Sequence, residues 1–158
     1  MCTEVQNPNR KLGVGTANAI ALRRSTLEEL PILHAMERQP HAVPFVTATD
    51  LTEHAERLLD PACVCLSVEN YLILNLDPDG TSIEFRRIVI DAGARGIGQP
   101  VIRHMESFCR SELGASRVWL DVYHDNERAR HVYEKLGFSL FREQNFGGRL
   151  LIYYQKRL

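Results

Sequence analysis

The segment of the sequence best suited to binding an anion is a short glycine-rich stretch at residues 95–100, RGIGQP. It lies between a β-prone run and a segment with helical periodicity, where free backbone N–H groups and the positive end of the helix dipole would point at the same place. Gly96 and Gly98 would let a phosphate approach the backbone closely. Glycine turns between a strand and a helix also occur for reasons of chain geometry alone, so both interpretations stay open.

Two well-known phosphate motifs are excluded at this segment. A dinucleotide-binding fingerprint beginning at Gly96 would need a third glycine at position 101, which is Val101. A P-loop would need a Gly-Lys-Ser/Thr sequence, which is absent. Any phosphate at this loop must therefore be held in another way.

Metal-binding chemistry is not indicated. The four cysteines, Cys2, Cys63, Cys65 and Cys109, lack the paired spacing of a zinc site, and the six histidines include no convincing helical pair three or four residues apart. Cys63 and Cys65 alternate along an apolar run, which is typical of small core residues on one face of a strand. We therefore expect no metal.

Composition places the chain among ordinary globular proteins. Its 158 residues are 44% hydrophobic and 25% charged, with a formal net charge of −1, which suits one domain and gives no overall reason to bind nucleic acid. The longest apolar runs are far shorter than the ~20 residues that span a bilayer. We expect a flexible tail at residues 1–15, a single domain at 16–158, no signal peptide and a cytoplasmic location.

Periodicity predicts the elements that would position the glycine-rich loop. A short strand at Ala19–Arg23 precedes a helix that begins at a Ser25/Glu28 capping box and is shortened, kinked or restarted at Pro31. Asp50 and Glu53 predict the start of a second helix, with Leu51, Ala55, Leu58 and Leu59 on one face.

The rest of the chain predicts a meander, a crossover and a closing hairpin. The predicted strands are 62–68, 71–76, 82–90, 118–123, 138–142 and 150–156. The predicted helices are one whose apolar stripe runs from Val101 to Leu113 and a second at 127–136. This order indicates an α/β or α+β domain with one mixed sheet and helices on both faces.

Two motifs in this order resemble those of the GNAT superfamily of acyl-CoA-dependent N-acetyltransferases. The loop pattern Gln/Arg-x-x-Gly-x-Gly/Ala is matched by Arg95 and Gly98, and departs at its last place, which is Pro100. A downstream pattern, Asn-x-x-Ala-x-x-x-Tyr-x-x-x-Gly-Phe, is matched by Asn126, Ala129, Tyr133, Gly137 and Phe138. The resemblance covers the chain from Ala19 onward and is strongest from Glu84 to Phe138.

The resemblance implies a mostly antiparallel sheet whose fourth and fifth strands splay apart around acetyl-CoA, the co-substrate. It implies a set of cofactor-binding residues: Ile88, Val89, Ile90, Arg95, Gly96, Ile97, Gly98, Gln99, Pro100 and Asn126. Proline offers no N–H to a phosphate, but it is well tolerated in the first turn of a helix, so we expect the site to tolerate Pro100. Asn126 also suits a purely structural role as a helix N-cap.

The resemblance implies two catalytic side chains. Glu84 would take the proton of an amine acceptor, commonly through water; the alternative is an exposed strand carboxylate paired with Arg86 or Arg87. Tyr133 would donate its proton to the departing thiolate, because a phenol stays protonated at neutral pH; the alternative is a core aromatic residue. Strict alternation would put Glu84, Ile88 and Ile90 on one strand face.

The acceptor is left open by the sequence. The regions expected to select it, around His34 to Phe45 and the loop Gln144–Gly148, contain no acidic cluster suited to a polyamine, so a peptide N-terminus, an amino acid or a drug-like amine all fit. Residues 83–90 and 119–123 loosely resemble the branch that includes ribosomal-protein N-terminal acetyltransferases. The alternative function is a non-catalytic acyl-CoA-binding or interaction module, and a homodimer is plausible.

Overall fold

The computed structural model describes residues 22–67, 70–90 and 96–158. A single 3-10 turn, Leu27–Glu29, precedes the first helix. The helices are α1 (Leu30–Met36), α2 (Leu51–Leu59), α3 (Gly98–Ser111) and α4 (Glu127–Lys135). The strands are β1 (Arg23–Arg24), β2 (Cys63–Ser67), β3 (Asn70–Leu76), β4 (Ser82–Ile90), β5 (Arg117–Tyr123), β6 (Ser139–Phe146) and β7 (Arg149–Arg157).

These strands form one mixed sheet in the order β1-β2-β3-β4-β5-β7-β6. Every neighbouring pair is antiparallel except β4 and β5, which are parallel because α3 crosses over between them. Helices cover both faces of the sheet, as the sequence predicts. On one face α3 and α4 pack through Val101, Met105 and Tyr133, and on the other α1 packs through Leu33 and Met36.

The start of the first helix differs from the prediction by one residue. The capping residues are Thr26 and Glu29, with the Thr26 backbone N–H donating to Glu29 Oε2 at 2.8 Å, and not the predicted Ser25 and Glu28. After the 3-10 turn, α1 begins at Leu30 with Pro31 in its first turn. Of the three predicted alternatives, the helix is both short and restarted, with the restart at Leu30, because proline needs no N–H partner in the first turn.

The buried face of α2 is only partly the predicted one, since Leu58 packs against the α1 core as expected. Asp50 caps the helix, accepting the Glu53 N–H at 2.8 Å, but Leu51 and Leu59 are exposed and His54 is buried. The polar partners of His54 explain the difference: its ring contacts Glu37 and Tyr71. Apolar periodicity could not reveal a helix that is oriented by a buried hydrogen-bonded histidine.

The prediction that side chains of β4 alternate strictly between the two faces of the sheet is wrong, because the strand contains a β-bulge. Leu74 on β3 pairs with Phe85 whereas Ile73 pairs with Arg87, so Arg86 is one extra residue on β4. Phe85 and Ile88 consequently pack with the α3–α4 core, and Val89 packs with the α1 core. Glu84 therefore shares its face with Arg87 and Val89, and not with Ile88 and Ile90.

The closing hairpin is longer than predicted. β6 runs to Phe146, so residues 144–146, predicted as loop, are strand, and the turn is formed by Gly147 and Gly148. Both glycines have positive φ (58° and 83°), which matches the twist of a tight hairpin. The predicted tail at 1–15 and most of the strand predicted at 19–23 lie outside the described residues. Within the described ranges, no helix is long and apolar enough to cross a membrane.

Candidate functional site

A cleft opens where β4 and β5 separate. Their parallel pairing covers only three residue pairs and ends at Glu84 and Trp119, although β4 continues to Ile90 and β5 to Tyr123. The bulge at Arg86 begins directly after the last pair. The resulting cleft has a volume of about 1730 Å³ and is lined from both sides of the sheet. We call these the α3–α4 side and the α1–α2 side, after the helices that they face.

The free edge of β4 forms one wall of the cleft. Ile88, Val89 and Ile90 all line it, and they lie beyond the last residue of β4 that pairs with β5. An edge of this kind presents backbone groups to which an extended ligand can add as a strand. The Ile90 carbonyl accepts a hydrogen bond from His41 Nε2 at 2.8 Å.

The glycine-rich loop and the start of α3 close the α3–α4 side of the cleft. Gly96, Gly98 and Gln99 line it, Gly96 has a φ of +82°, and a Cβ on Gly98 would come within 3.0 Å of Ile90 Cδ1. The backbone path therefore favours glycine at position 96, and at position 98 a side chain would fit only if the end of the Ile90 side chain shifted. The other predicted loop residues do not line the cleft: Ile97 packs against the core and Pro100 is exposed.

Arg95, which the sequence predicts to be part of the same loop, lies outside the described residues. Asn126, predicted to bind the cofactor or to cap a helix, does cap α4, and its side chain accepts the Ala129 N–H at 3.3 Å. It also lines the cleft. Of the nearby arginines, Arg130 contacts Tyr154 and the His124 carbonyl, and Arg128 is an exposed residue of the cleft lining.

Tyr133 is both a core residue and a lining residue of the cleft. It is 8% exposed and lies edge-on to Phe85 and Phe138, with ring centroids 6.4 and 5.8 Å away. Burial raises the pKa of its hydroxyl, and the negative charge of Asp121 raises it further. The two interpretations of Tyr133 are therefore compatible: its ring packs in the core, its hydroxyl stays protonated, and the residue borders the cleft.

Glu84 lies on the α1–α2 side of the cleft with both carboxylate oxygens engaged. Oε2 accepts from Asn75 Nδ2 at 2.7 Å, and Oε1 pairs with Arg86 Nη1 at 3.2 Å. The predicted alternative of an ion pair with Arg86 is thus present, but Glu84 is half-buried and lines the cleft. Arg87 is not a partner; it pairs with Glu37 instead.

Asp121 is a second carboxylate in the cleft that the sequence argument does not select. Burial raises its pKa, the charge of Arg86 opposes this rise, and the charge of Glu84 adds to it. Among the described residues it has no ion-pair partner. Alternation along β5 does place Asp121 on the face opposite the buried Leu120 and Val122, but only the separation of β4 and β5 shows that this face borders a cleft.

A buried polar cluster supports the α1–α2 side of the bulge. Glu37 is fully buried at the end of α1, where it accepts the Thr49 N–H at 2.7 Å and forms an ion pair with Arg87. Its carboxylate also lies 3.2 Å from His54 Nε2, and His54 Nδ1 accepts from the Tyr71 hydroxyl at 3.1 Å. Burial alone would raise the pKa of Glu37, but its hydrogen bonds and the charge of Arg87 lower the pKa to about 2. Glu37 is therefore a buried anion that anchors β4 through Arg87.

Comparison with known proteins identifies the family. A family model described as the acetyltransferase (GNAT) family matches residues 37–138, which include β4, the glycine-rich loop, α3, β5 and α4. The chain belongs to the GNAT family of acetyltransferases. It is therefore an acyltransferase, and acetyl-CoA is its co-substrate.

Curated relatives of this GNAT protein share parts of its sequence. Streptothricin acetyltransferase of Streptomyces lavendulae is 42% identical over 45 residues, which are 28% of this chain and 23% of that protein. An uncharacterised N-acetyltransferase of Mycobacterium bovis is 30% identical over 108 residues, covering 63% of this chain and 69% of the relative. The chain thus spans less than a quarter of the streptothricin enzyme.

Solved structures share the GNAT fold. Spermidine N-acetyltransferase from Vibrio cholerae, in complex with CoA and spermine, has a TM-score of 0.74 at 17% identity, covering 87% of this chain and 94% of that one. A chimera of the same enzyme has a TM-score of 0.72 at 20% identity, with 87% and 96% covered. At these identities the likeness is evidence for the fold.

Proposed function

We propose that this GNAT protein transfers an acetyl group from acetyl-CoA to a primary amine by direct attack within a ternary complex. The observation that carries the proposal is the cleft between β4 and β5. It joins a helix N-terminus on its α3–α4 side to two carboxylates, Glu84 and Asp121, on its α1–α2 side, with Tyr133 beside it. These are the groups that acyl transfer to an amine requires.

The residues of the α3–α4 side fit acetyl-CoA. The free edge of β4 at Ile88–Ile90 suits the extended pantetheine arm, and Gly96, Gly98 and Gln99 at the start of α3 suit its pyrophosphate. Asn126 and the exposed Arg128 border the same side. When bound, the cofactor supplies an acetyl thioester, whose carbonyl carbon is attacked and whose sulfur leaves as a thiolate.

The acceptor nitrogen must lose a proton before it can attack, because an aliphatic amine with a pKa of ~10 is protonated at neutral pH. Glu84 and Asp121 are the carboxylates placed to receive that proton, directly or through water. The oxygens of Glu84 are already occupied by Asn75 and Arg86. Asp121 forms no ion pair among the described residues, and burial raises its pKa, so we assign the proton of the amine to Asp121.

The Tyr133 hydroxyl supplies the proton of the product thiol, and the phenolate that results takes up the proton that the nitrogen loses as the amide forms. Because burial raises the pKa of Tyr133, the hydroxyl holds its proton at neutral pH and can donate it to the departing sulfur. The structure offers no accessible thiol for a covalent acyl-enzyme among the described cysteines, since Cys63, Cys65 and Cys109 are all buried. Direct attack by the amine is therefore the mechanism that we propose.

Calorimetric titration with acetyl-CoA, followed by an amine panel assayed by thiol release, tests this function. We expect micromolar binding and thiol release that depends on the amine. Dephospho-CoA is the control for the terminal phosphate. Binding without turnover on any amine would favour the alternative, a non-catalytic acyl-CoA-binding or interaction module.

The relatives suggest which amines to include. The similar proteins include a streptothricin acetyltransferase and a spermidine N-acetyltransferase, and a peptide N-terminus fits the sequence equally well. A cytoplasmic location, a single domain from residue 16 and a homodimer stay predictions; the V. cholerae enzyme is described as dodecameric in one structure. Size-exclusion chromatography with light scattering would determine the oligomeric state.

A further inference from the structure

Arginines of this chain neutralise most of the carboxylates on the α1–α2 side of the cleft and its rim. The pairs are Arg57 with Glu53 (2.7 Å), Arg86 with Glu84 (3.2 Å) and Arg149 with Asp125 (2.9 Å). All three carboxylates line the cleft. An incoming ammonium group would therefore have to compete with a guanidinium at each of them.

Asp121 differs from these three carboxylates. Of the described carboxylates that line the α1–α2 side, it alone forms no ion pair, and Glu127, which also lines the cleft, belongs to the first turn of α4 on the other side. Among the described residues of the α1–α2 side, the negative charge that is left unpaired for an acceptor is thus that of a single carboxylate. The single positive charge of one ammonium group would balance the negative charge of Asp121.

Two tyrosine rings that line the cleft also have an arginine over one face. The Arg149 guanidinium lies 3.6 Å from the centroid of Tyr123, and Arg142 lies 5.0 Å from that of Tyr153. Tyr153 is also stacked with Trp119 at 6.3 Å. Ring faces are the other means by which a protein holds an ammonium group, so at these two tyrosines a second cation would have to compete with a guanidinium.

We propose that the acceptor of this enzyme carries one ammonium group within the cleft and no second cation, so that polyamines are poor substrates. This inference rests on the proposed acetyl transfer to an amine. It separates the chain from the spermidine enzymes whose fold it shares. A second ammonium group would lie among Arg57, Arg86 and Arg149, where it would be repelled or would have to break an existing ion pair.

Matched acceptors that differ by one positive charge test the inference. One series is n-butylamine, 1,4-diaminobutane and spermidine, and another is the tripeptide amides Gly-Ala-Ala and Gly-Ala-Lys. We expect kcat/KM from thiol release to fall at least tenfold with the added charge in each series that is acetylated. Equal or faster acetylation of the more highly charged member would overturn the proposal and leave acetyl transfer itself intact.

A variant that frees one carboxylate from its ion pair provides a second test of the inference. Arg57→Gln releases Glu53, so the preference for the singly charged acceptor should fall at least threefold. Arg110→Gln, at an exposed position in the last turn of α3, removes the same charge away from the cleft and should leave the preference unchanged. An identical preference in the two variants would contradict the inference, and an absence of acetylation of every amine would instead reject the proposed function.

Discussion

The Tyr133 hydroxyl keeps its proton across the neutral range because its ring is buried between Phe85 and Phe138 and its pKa is raised. Tyr133→Phe preserves the ring and removes only this proton. We therefore expect kcat to fall at least tenfold with little change in acetyl-CoA affinity, measured by thiol release and calorimetry. Unchanged turnover would exclude Tyr133 from the chemistry.

The two carboxylates of the cleft should differ in their effect on the pH profile. Because the pKa of Asp121 is raised by burial, its proton acceptance is lost as the pH falls through that raised pKa, which should produce the acidic limb of kcat/KM. Asp121→Asn should abolish this limb and lower kcat/KM about 100-fold at neutral pH, within the ~10²–10⁴ typical of acid–base catalysis.

Glu84→Gln provides the comparison for this prediction. Its oxygens already contact Asn75 and Arg86, so we expect a smaller loss, with the acidic limb retained. A limb that disappears in Glu84→Gln and persists in Asp121→Asn would assign the proton to Glu84. Recovery of the limb in Asp121→Glu would exclude a merely structural effect of Asp121.

At the scale of secondary-structure elements, the start of α3 has one N–H fewer than a typical helix because of Pro100. Pro100 is exposed, does not line the cleft, and lies in the first turn, where proline is tolerated. We therefore expect Pro100→Ala to tighten acetyl-CoA binding by less than about threefold in calorimetry, although a charge-assisted hydrogen bond is worth ~1.5–3 kcal/mol. Arg103→Ala, on the exposed face of α3, is the matched control. Tightening of tenfold or more would show that the missing donor matters.

The sequence predicts most elements correctly because their signals are local. Asp50 caps α2 as predicted, and the stripe from Val101 to Cys109 is buried along α3. The bulge at Arg86 was missed because a one-residue insertion depends on the register with β3, which no local pattern encodes. Asp121 was missed for a related reason: it faces a cleft only because β4 and β5 stop pairing before they reach it.

At the scale of the whole molecule, the buried anion Glu37 should make stability depend on pH. Its pKa in the folded state is about 2, below the ordinary value of 4.5, so the stabilisation is present above about pH 4.5 and is lost as the pH falls toward 2. This lowering of the Glu37 pKa corresponds to about 3 kcal/mol in the free energy of unfolding.

Urea unfolding of the protein and of Glu37→Gln at pH 7, 4.5 and 3 measures this contribution. We expect the variant to be several kcal/mol less stable at pH 7, because Arg87 is left buried without its partner, and the difference to shrink by pH 3. The other carboxylates are common to both proteins and cancel in the comparison. A difference that stays constant with pH would show that Glu37 stabilises the fold without titrating.

The extra residue in β4 also bears on which sequence changes the protein can survive. Ile83 and Glu84, before the bulge, are in register with both β3 and β5, whereas the residues after Arg86 are anchored through Arg87 to Glu37. Deleting Arg86 would remove the extra residue and leave Arg87 and Val89 opposite the same β3 residues and on the same faces, because one-for-one pairing would then continue from Phe85. A deletion or insertion between Arg87 and Val89 would instead move Val89 to the other face and out of its apolar pocket. We therefore expect natural variation to tolerate a gap at the bulge and to proceed by substitution in the part of β4 that follows Arg87.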